Sequence, residues 1–497
     1  MKSAARIVLI YLSICLFLAG CKGKTKHEYF RHARLDSRHQ LIGRYPVDSA
    51  TAQNITCYHF IYDGKDRPVM VEYLRRGHPY RSHRFNVARI EIEYWTQWRI
   101  LWVDCERWIY WSEDGDPARD KNGVNSFMLA RTRGLKSISK QNRNVDNREV
   151  LGYEYRLDDY GRIVEEYTLD NYRRKFKLHL DVPKLLKKYD QNGNLIEVYK
   201  YGDSTSSVVK RRYKYDEHGN RVETEYLDRD NNPAASGKYG APIVRRKYDA
   251  NGYEIEESYH DEEGDLTEGK QGFAFIRRKF NDAGDVLAVK RFGVDGKLKE
   301  RNDTGVAEIR YEYDEENHEM VQRYLGVDGQ LVENKPTGVA VSRWVYNDQG
   351  RLTELSYYGV DGQLRDHYIE GYAIWRSEYD EHGFQIEEYW FNHQGELIEN
   401  KDGYAIWRCK RDGNHRIIES SFYDRDNRLT KFMESEIATY AFKYDRWGNK
   451  IEGRVYGLDG KLVNGESGVA FYKARFERHG RLRWQRLYDK DGNLVKQ

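Results

Sequence analysis

Ten stretches of this chain align on a single residue and recur at a nearly constant interval. That interval constrains the fold more than any other feature. The anchors are Tyr189, Tyr215, Tyr248, Phe280, Tyr313, Tyr346, Tyr379, Arg411, Tyr444 and Phe476. After a first step of 26 residues every spacing is 32 or 33, and a weaker copy is anchored at Leu157, 32 residues before Tyr189. So regular a period marks an array of supersecondary units that bury their apolar faces against their neighbours.

Inside a unit the apolar period is two. Counting from the anchor as offset zero, aromatic or aliphatic residues favour −4, −2 and 0, as in Tyr440-Phe442-Tyr444 and Ile309-Tyr311-Tyr313. An Asp-x-x-Gly follows, as in Asp216-Glu217-His218-Gly219, then an apolar residue at +7 (Val222, Ile255, Ile386) and an aromatic at +11 (Tyr226, Tyr259, Trp390). Gly accepts φ > 0 and Asp bonds back to turn amides, so the pattern predicts strand, turn, strand: a β-hairpin.

With Asp-x-x-Gly as the loop, directly opposed offsets sum to five, which places −3 across from +8. Offset −3 is Arg in seven consecutive copies and +8 is Glu in most. Five copies carry both: Arg212 with Glu223, Arg245 with Glu256, Arg343 with Glu354, Arg376 with Glu387, and Arg408 with Glu419. The expected reading is a cross-strand ion pair within each hairpin, on the face away from the aromatics.

Each unit also carries a second turn (Asp328-Gly329-Gln330-Leu331, Asp361-Gly362-Gln363-Leu364), and a Gly-x-Ala opens the next unit (Gly338/Ala340, Gly371/Ala373, Gly403/Ala405). Small residues at one fixed offset point to a close approach of strands. No window reads as a long helix.

The N-terminus has a different character. Lys2 and Arg6 precede an apolar run from Ile7 to Phe17, closed by Leu18-Ala19-Gly20-Cys21. The run is short for a membrane span and ends in small residues, as an export signal does. Residues 18–21 resemble the lipobox of bacterial lipoproteins. That resemblance implies cleavage before Cys21, diacylation of Cys21 and, with Lys22 following, the outer membrane. Residues 1–20 are then a signal peptide. Its loss removes two cations and no acid, which takes the formal net charge from +3 to +1. A nearly neutral exported chain with interleaved charges offers no nucleic-acid stripe.

Residues 21–57, with Arg31, Arg34, Arg38 and Arg44, read as a basic polar tether. Residues 58–150 read as a divergent β region, in which Tyr62-Asp63 to Tyr73 has the look of a degraded unit. Five of the eleven tryptophans fall within 94–111. There Trp95, Trp98 and Trp102 have two readings: extra aromatics of a divergent unit, or one face of a short helix. Residues 126–147 are poor in apolar side chains and are expected to form an excursion. Of the cysteines outside the signal and the lipid site, Cys57 and Cys105 could pair in an oxidising compartment, while Cys409 sits at a core-facing offset.

Tyr213-Lys214-Tyr215-Asp216-Glu217-His218-Gly219-Asn220 and Tyr444-Asp445-Arg446-Trp447-Gly448-Asn449 resemble the YD repeat of RHS-type bacterial surface and toxin proteins. The likeness covers the central hairpin of each unit over residues 150–497. It implies a spiral of β-hairpins, a secreted or surface setting and no catalytic residue set. The longer period and the added Gly-x-Ala depart from that family.

The chemistry that the sequence offers is sparse. The recurrent Asp is explained by the turn and the recurrent Glu by the Arg. His218, His318, His382, His415 and His479 fall at or beside turns, with no metal-ligand spacing. Trp344, Trp375, Trp407 and Tyr440 lie at like positions in successive units. They read either as a core ladder or as a groove that stacks on sugars. The expectation is an all-β protein of tandem 32–33-residue hairpins forming an elongated spiral, solenoid or barrel-like array over 151–497. Functionally it is a non-enzymatic outer-membrane lipoprotein, without metal or cofactor, that binds protein or envelope glycan. The alternatives are a carbohydrate-active enzyme with its site in 94–150 and a purely structural envelope protein.

Overall fold

Strand-forming alternation runs through nearly the whole chain, and strands are what it forms. The computed structural model describes residues 25–495 except 83–84, 99–101, 113–117, 119, 121–123, 133–136, 146–151, 170–183, 202–205, 315, 317, 447, 466 and 477–481. Among the described residues there are 31 strands and one helical turn, Ser49–Ala52. Every strand pairing between partners within a unit is antiparallel. The signal segment and Cys21 lie outside the described residues.

The chain divides into two compact units, one of residues up to Lys270 with Ala274–Val286, the other of Gln271–Phe273 with Leu287–Gln497. The first opens with β1 (Lys26–Leu35), β2 (Leu41–Val47), β3 (Thr56–Tyr62), β4 (Pro68–Arg75) and the short β5 (His78–Pro79). Next come β6 (Arg89–Trp98), β7 (Trp102–Trp111), β8 (Val124–Thr132), β9 (Ser137–Val145), β10 (Gly152–Leu157) and β11 (Ile163–Leu169). Its core gathers Phe60, Ile90, Trp108, Phe127, Leu129, Ile138 and Tyr155, all at most 3% exposed. The repeat hairpins follow from β12 (Lys184–Tyr189) to β31 (Leu482–Tyr488).

Two sequence expectations are corrected here and one open alternative is decided. The segment read as a tether contains β1 and β2, which form a hairpin. The expected excursion at 126–147 largely consists of β8 and β9, paired with each other and with β7 and β10. Trp95, Trp98 and Trp102 lie on strands rather than on one helical face, with Trp98 across from Trp102 and Trp95 across from Cys105.

The hairpin register also differs from the expected one. In the Tyr215 unit Arg212 faces Glu225, Lys214 faces Glu223, and Tyr215 faces Arg221 after a shift. Opposed offsets therefore sum to seven, then six. Asp216 belongs to the closing pair, its amide donating to the Asn220 carbonyl, which leaves a three-residue loop ending at Gly219 with φ +71. A type I turn followed by a left-handed residue builds such a loop. The +7 residue is then the extra one of a bulge between −1 and 0. The same shift recurs at Tyr248, Tyr346, Tyr379, Arg411 and Tyr444. At Arg411 the left-handed position is filled by His415, φ +62.

This register moves the ion pairs. Within its own hairpin the +8 Glu faces the −1 residue, and across the seam it faces the −3 position of the following hairpin, which is Arg in Glu223 with Arg245 and Glu354 with Arg376 but Ala441 opposite Glu419. The bridges follow: Arg245–Glu223 2.9 Å, Arg277–Glu256 2.8 Å, Arg376–Glu354 2.8 Å and Arg408–Glu387 2.8 Å. Of the five pairs expected within one hairpin, Arg343 and Glu354 come to 3.7 Å, while Arg343 bonds Glu319 of the preceding hairpin. In several units a Lys closes the other side, at 2.7 Å for Lys214–Glu223 and for Lys247–Glu256. Burial would raise the Glu223 carboxyl, but hydrogen bonds from Lys214 and Arg245 hold it below the usual range.

Two further devices hold the seams. The anchor tyrosine hydroxyl donates to the +6 carbonyl of the preceding unit: Tyr189 to Ile163 and Tyr215 to Leu195 at 2.7 Å, Tyr379 to Leu352 and Tyr444 to Ile417 at 2.8 Å. Arg411 replaces tyrosine and donates Nε and Nη2 to the corresponding Gln385 carbonyl. The small residue of Gly-x-Ala sits where strands converge. Ala340 donates to Tyr358 O and accepts from Tyr324 N, while Ala373 donates to Phe391 O and accepts from Tyr357 N. Both are 0% exposed.

The register generates a direct test. A double-mutant cycle on Arg376→Ala and Glu354→Ala should give a coupling of about 0.2–1 kcal/mol by chemical denaturation. The cycle on Arg376 and Glu387 should give none. The reverse pattern would restore the pairing expected from sequence.

Candidate functional site

The N-terminal hairpin owes its conformation to the same chemistry as the repeats. Asp36 Oδ1 accepts the amides of Arg38 and Gln40, and His39 takes the left-handed position at φ +64. Gly43 lies under the Phe30 ring, where an added Cβ would come within 2.1 Å of the ring. Leu35-Asp36-Ser37-Arg38-His39 is thus one more copy of the turn, which sequence reading missed because His stands where Gly was sought. Tyr62-Asp63 is another, with the Asp63 amide bonded to Arg67 O.

The basic side chains of β1 and β2 bind the turn tips of successive repeats. Arg31 donates to Asp282 O and to the Tyr253 hydroxyl, His32 Nε2 contacts Asn251 O at 3.0 Å, and Arg34 donates to Gly219 O. Arg44 donates to His218 O, and the Tyr45 hydroxyl accepts from Asn220 at 2.7 Å. At the hairpin tip Ser37 O accepts the Ile163 amide and Arg38 O accepts Arg131 Nη2. Turn carbonyls need donors, and arginine supplies them. That is the physical reason for the basic composition of the segment.

Between this hairpin and the repeats lies a cavity of about 1490 Å³. Among the described residues its lining has eight Lys or Arg against four carboxylates, and six tyrosines. All four carboxylates are engaged: Asp36 in its own turn, Asp190 with Asn194, Glu166 with Lys187 at 2.6 Å, and Glu254 with Arg246 and Arg278 at 3.2 and 2.6 Å. Burial raises the Glu254 carboxyl. Tyr160, 71% exposed, stands at the lining's outer limit with Arg162 under its ring at 4.9 Å.

The floor holds Lys140 and His39 against a shared ring. Lys140 Nζ lies 4.0 Å from the centroid of Phe127 and 5.6 Å from that of Tyr153. His39 packs on Phe127 at 6.2 Å and Tyr155 at 5.6 Å, and its buried Nε2 has no hydrogen-bond partner. Burial lowers the Lys140 amine, and burial followed by the charge of Lys140 drives His39 well below the usual imidazole range.

The residues singled out from sequence lie elsewhere. Trp375, Trp407 and Tyr440 are half-buried and pack with Trp390, Tyr404 and Phe422 in one cluster of the second unit. Trp407 Nε1 donates to Ser420 Oγ at 2.6 Å. Trp344 is at offset −2 rather than −4, across from Leu355 and Met320, and so does not continue that ladder. Trp95 is half-buried and Trp102 is 52% exposed. Cys57 and Cys105 are separate buried thiols rather than a disulfide, Cys57 pushed up to about 11 by burial, and Cys409 contacts Gln385 O. Among the described residues no group of three or more His, Cys, Asp and Glu is placed to hold a metal ion, and no helix is long and apolar enough to cross a membrane. The signal for Lys140 was its parity: it shares a strand face with buried Ile138.

No family model matches the chain, and no match is found among curated proteins. Solved structures that the chain matches include the crystal structure of TcdB2-TccC3-TEV, at 12% identity over 91% of this chain and 24% of that one, TM-score 0.36. TcdB2-TccC3 without its hypervariable C-terminal region matches at 12% identity over 91% and 26%, TM-score 0.30. The Tc holotoxin pore of Photorhabdus luminescens matches at 12% identity over 94% and 23%, TM-score 0.28. This chain spans about a quarter of the length of those chains.

His39 sets a pH dependence of known sign. Its folded pKa is depressed, so below the ordinary value of about 6.5 the unfolded chain takes up a proton that the folded chain refuses. This contribution to stability is complete above about pH 6.5 and declines as pH falls toward the depressed folded value. Asn also accepts a left-handed backbone. His39→Asn should therefore lose less unfolding free energy than the wild type between about pH 7.5 and pH 5, measured in urea. Equal losses would place the imidazole in solvent.

Proposed function

We propose that the chain is a non-enzymatic binding scaffold, lipid-anchored at Cys21 in the bacterial outer membrane, whose ligand seat is the cavity beneath the N-terminal hairpin. The observation that carries this reading is the cavity itself, a tyrosine-rich space with a surplus of cations, roofed by a hairpin fixed to successive repeat turns. Its carboxylates are held by turns or cations, an arrangement suited to recognition rather than to acid–base hydrolysis, which needs two carboxyls at a set separation. The ligand is a protein segment or an envelope glycan, and the repeats belong with the YD/RHS-like repeats that their turns resemble. Anchorage has a structural consequence. Lys26 begins β1 five positions after Cys21, and five residues span at most about 18 Å. The lipid would therefore hold the roof of the cavity close to the bilayer.

Two experiments test this. Cys21→Ala should release the protein from the membrane fraction; continued anchoring would remove the lipoprotein reading. In a panel of glycans and envelope proteins, the wild-type ligand should be lost on Tyr160→Ala and kept on Trp102→Ala, since both side chains are exposed and only Tyr160 lines the cavity. Loss on Trp102→Ala alone would move the site to the tryptophan-rich strands β6 and β7.

A further inference from the structure

We propose that the cavity takes a carboxylate-bearing glycan, its acid group seated between Lys140 Nζ and His39 Nε2. This rests on the cavity being the ligand site and goes further, naming the ligand's chemical class and the two side chains that select it.

Four observations converge on that seat. First, Lys140 meets aromatic faces, and among the described residues no carboxylate forms a salt bridge with it. Its neighbour Lys187, by contrast, is neutralised by Glu166 at 2.6 Å. Asp120 and Glu166 act on Lys140 only through their charge, without a salt bridge, and burial still lowers its amine, a cost that an incoming anion offsets. Second, His39 Nε2 is buried and has no hydrogen-bond partner, so it can donate to an anion once protonated. The low affinity of His39 for protons reflects burial and then Lys140, Arg131 and Lys187, and an anion between these groups reverses the sign of that field. Third, Phe127 touches both groups, with Lys140 at 4.0 Å and His39 at 6.2 Å from its centroid, so the two polar ends share one wall. Fourth, the lining holds more cations than carboxylates, and while Arg162 and Arg246 also pair outside it with Asp158 and Glu257 at 2.7 Å each, Lys140 has no such bridge among the described residues.

The rest of the cavity argues for a sugar over a peptide. An extended peptide is usually held by strand addition at a free sheet edge. Here the floor strands β9, β10 and β11 are paired in sequence, β9 with β10 and β10 with β11, so they present a side-chain face and no open edge. What the space offers is tyrosine. Tyr153 and Tyr155 lie stacked 6.0 Å apart at 9°, and Tyr160 has an open face backed by Arg162. Flat rings with polar tips suit the apolar face and hydroxyl rim of a pyranose.

The test is calorimetric titration of the mature chain with trigalacturonate and with neutral maltotriose, at about 50 mM salt to limit screening. Trigalacturonate should bind at least about tenfold more tightly, and Lys140→Met should remove most of that preference. Should the Met variant not fold by circular dichroism, a salt titration of the wild type decides. Binding of the acid trisaccharide should weaken steeply up to about 500 mM salt while that of maltotriose holds. Inorganic phosphate should compete with trigalacturonate alone. Equal affinity for both sugars, or full acid preference in Lys140→Met, overturns the anion seat. If binding is nevertheless lost on Tyr160→Ala, the cavity remains the site and only the ligand class is wrong. If neither sugar binds and phosphate has no effect on thermal stability, the seat is overturned, and the panel with Tyr160→Ala separately decides the cavity.

Discussion

The structure depends on the seam between one hairpin and the next. Within a hairpin five residues pair before the bulge, whereas across a seam the ladder is often only three pairs long, as at Glu223–Glu225 with Ile243–Arg245. So short a ladder cannot fix a register by itself. Three unlike interactions add to it at regular offsets. The −6 alanine bonds its own hairpin through N–H and the preceding one through C=O, in a space that excludes solvent. The anchor tyrosine reaches back to the +6 carbonyl beside the bulge of the preceding hairpin. On the outer face the +8 glutamate ties its own hairpin to the next. Each is modest alone, because exposed ion pairs and single hydrogen bonds are each worth about 1 kcal/mol or less. Their offsets agree on one register, and that agreement makes the register unique.

Much of this was legible in the sequence. The period, the turns, the hairpins and the crowded Gly-x-Ala position follow from residue types with a single conformational explanation. The partner of each arginine was not legible, for a reason intrinsic to repeats. When −3 is Arg and +8 is Glu in neighbouring copies, the coincidence is as strong between copies as within one. Only the loop length distinguishes the two pairings. One residue of bulge at +7 and a three-residue loop moved the opposed sum from five to seven, so Arg376 faces Tyr389 in its own hairpin and Glu354 in the one before. The role of tyrosine was hidden too. It became clear at Arg411, where a residue with no aromatic ring keeps the same bond to the preceding carbonyl.

The candidate site was less legible than the fold because its residues violate local expectation. A segment with Arg31, Arg34, Arg38 and Arg44 and few apolar side chains cannot form a core by itself, and by composition it reads as a linker. Its partners are backbone carbonyls at turns some 180 to 250 positions away, and carbonyls leave no mark in a sequence. Lys140 lies in a polar stretch where alternation is faint, yet it occupies the face that Ile138 buries. The tryptophans at regular offsets drew attention because they were regular. In the structure that regularity belongs to packing, with Trp375 and Trp407 set among Trp390, Tyr404 and Phe422.

Regularity and function therefore divide along the chain. A repeat that bonds its neighbours through seam ladders, anchor hydroxyls and charge pairs has less left to offer a ligand. In the first unit the pattern departs further: His39 packs its turn imidazole on Phe127 and Tyr155, Lys140 shares a strand face with buried Ile138, and the basic side chains of β1 and β2 reach the turns of distant repeats. Each departure places a polar group where the repeat would have put an apolar or turn residue. Two of them, Lys140 at 4.0 Å and His39 at 6.2 Å from its centroid, fall against the one ring of Phe127. Independent defects would scatter. A lysine and a histidine meet on one ring, in a cavity whose acids are already engaged, and that convergence on one wall is what the proposed anion seat rests on.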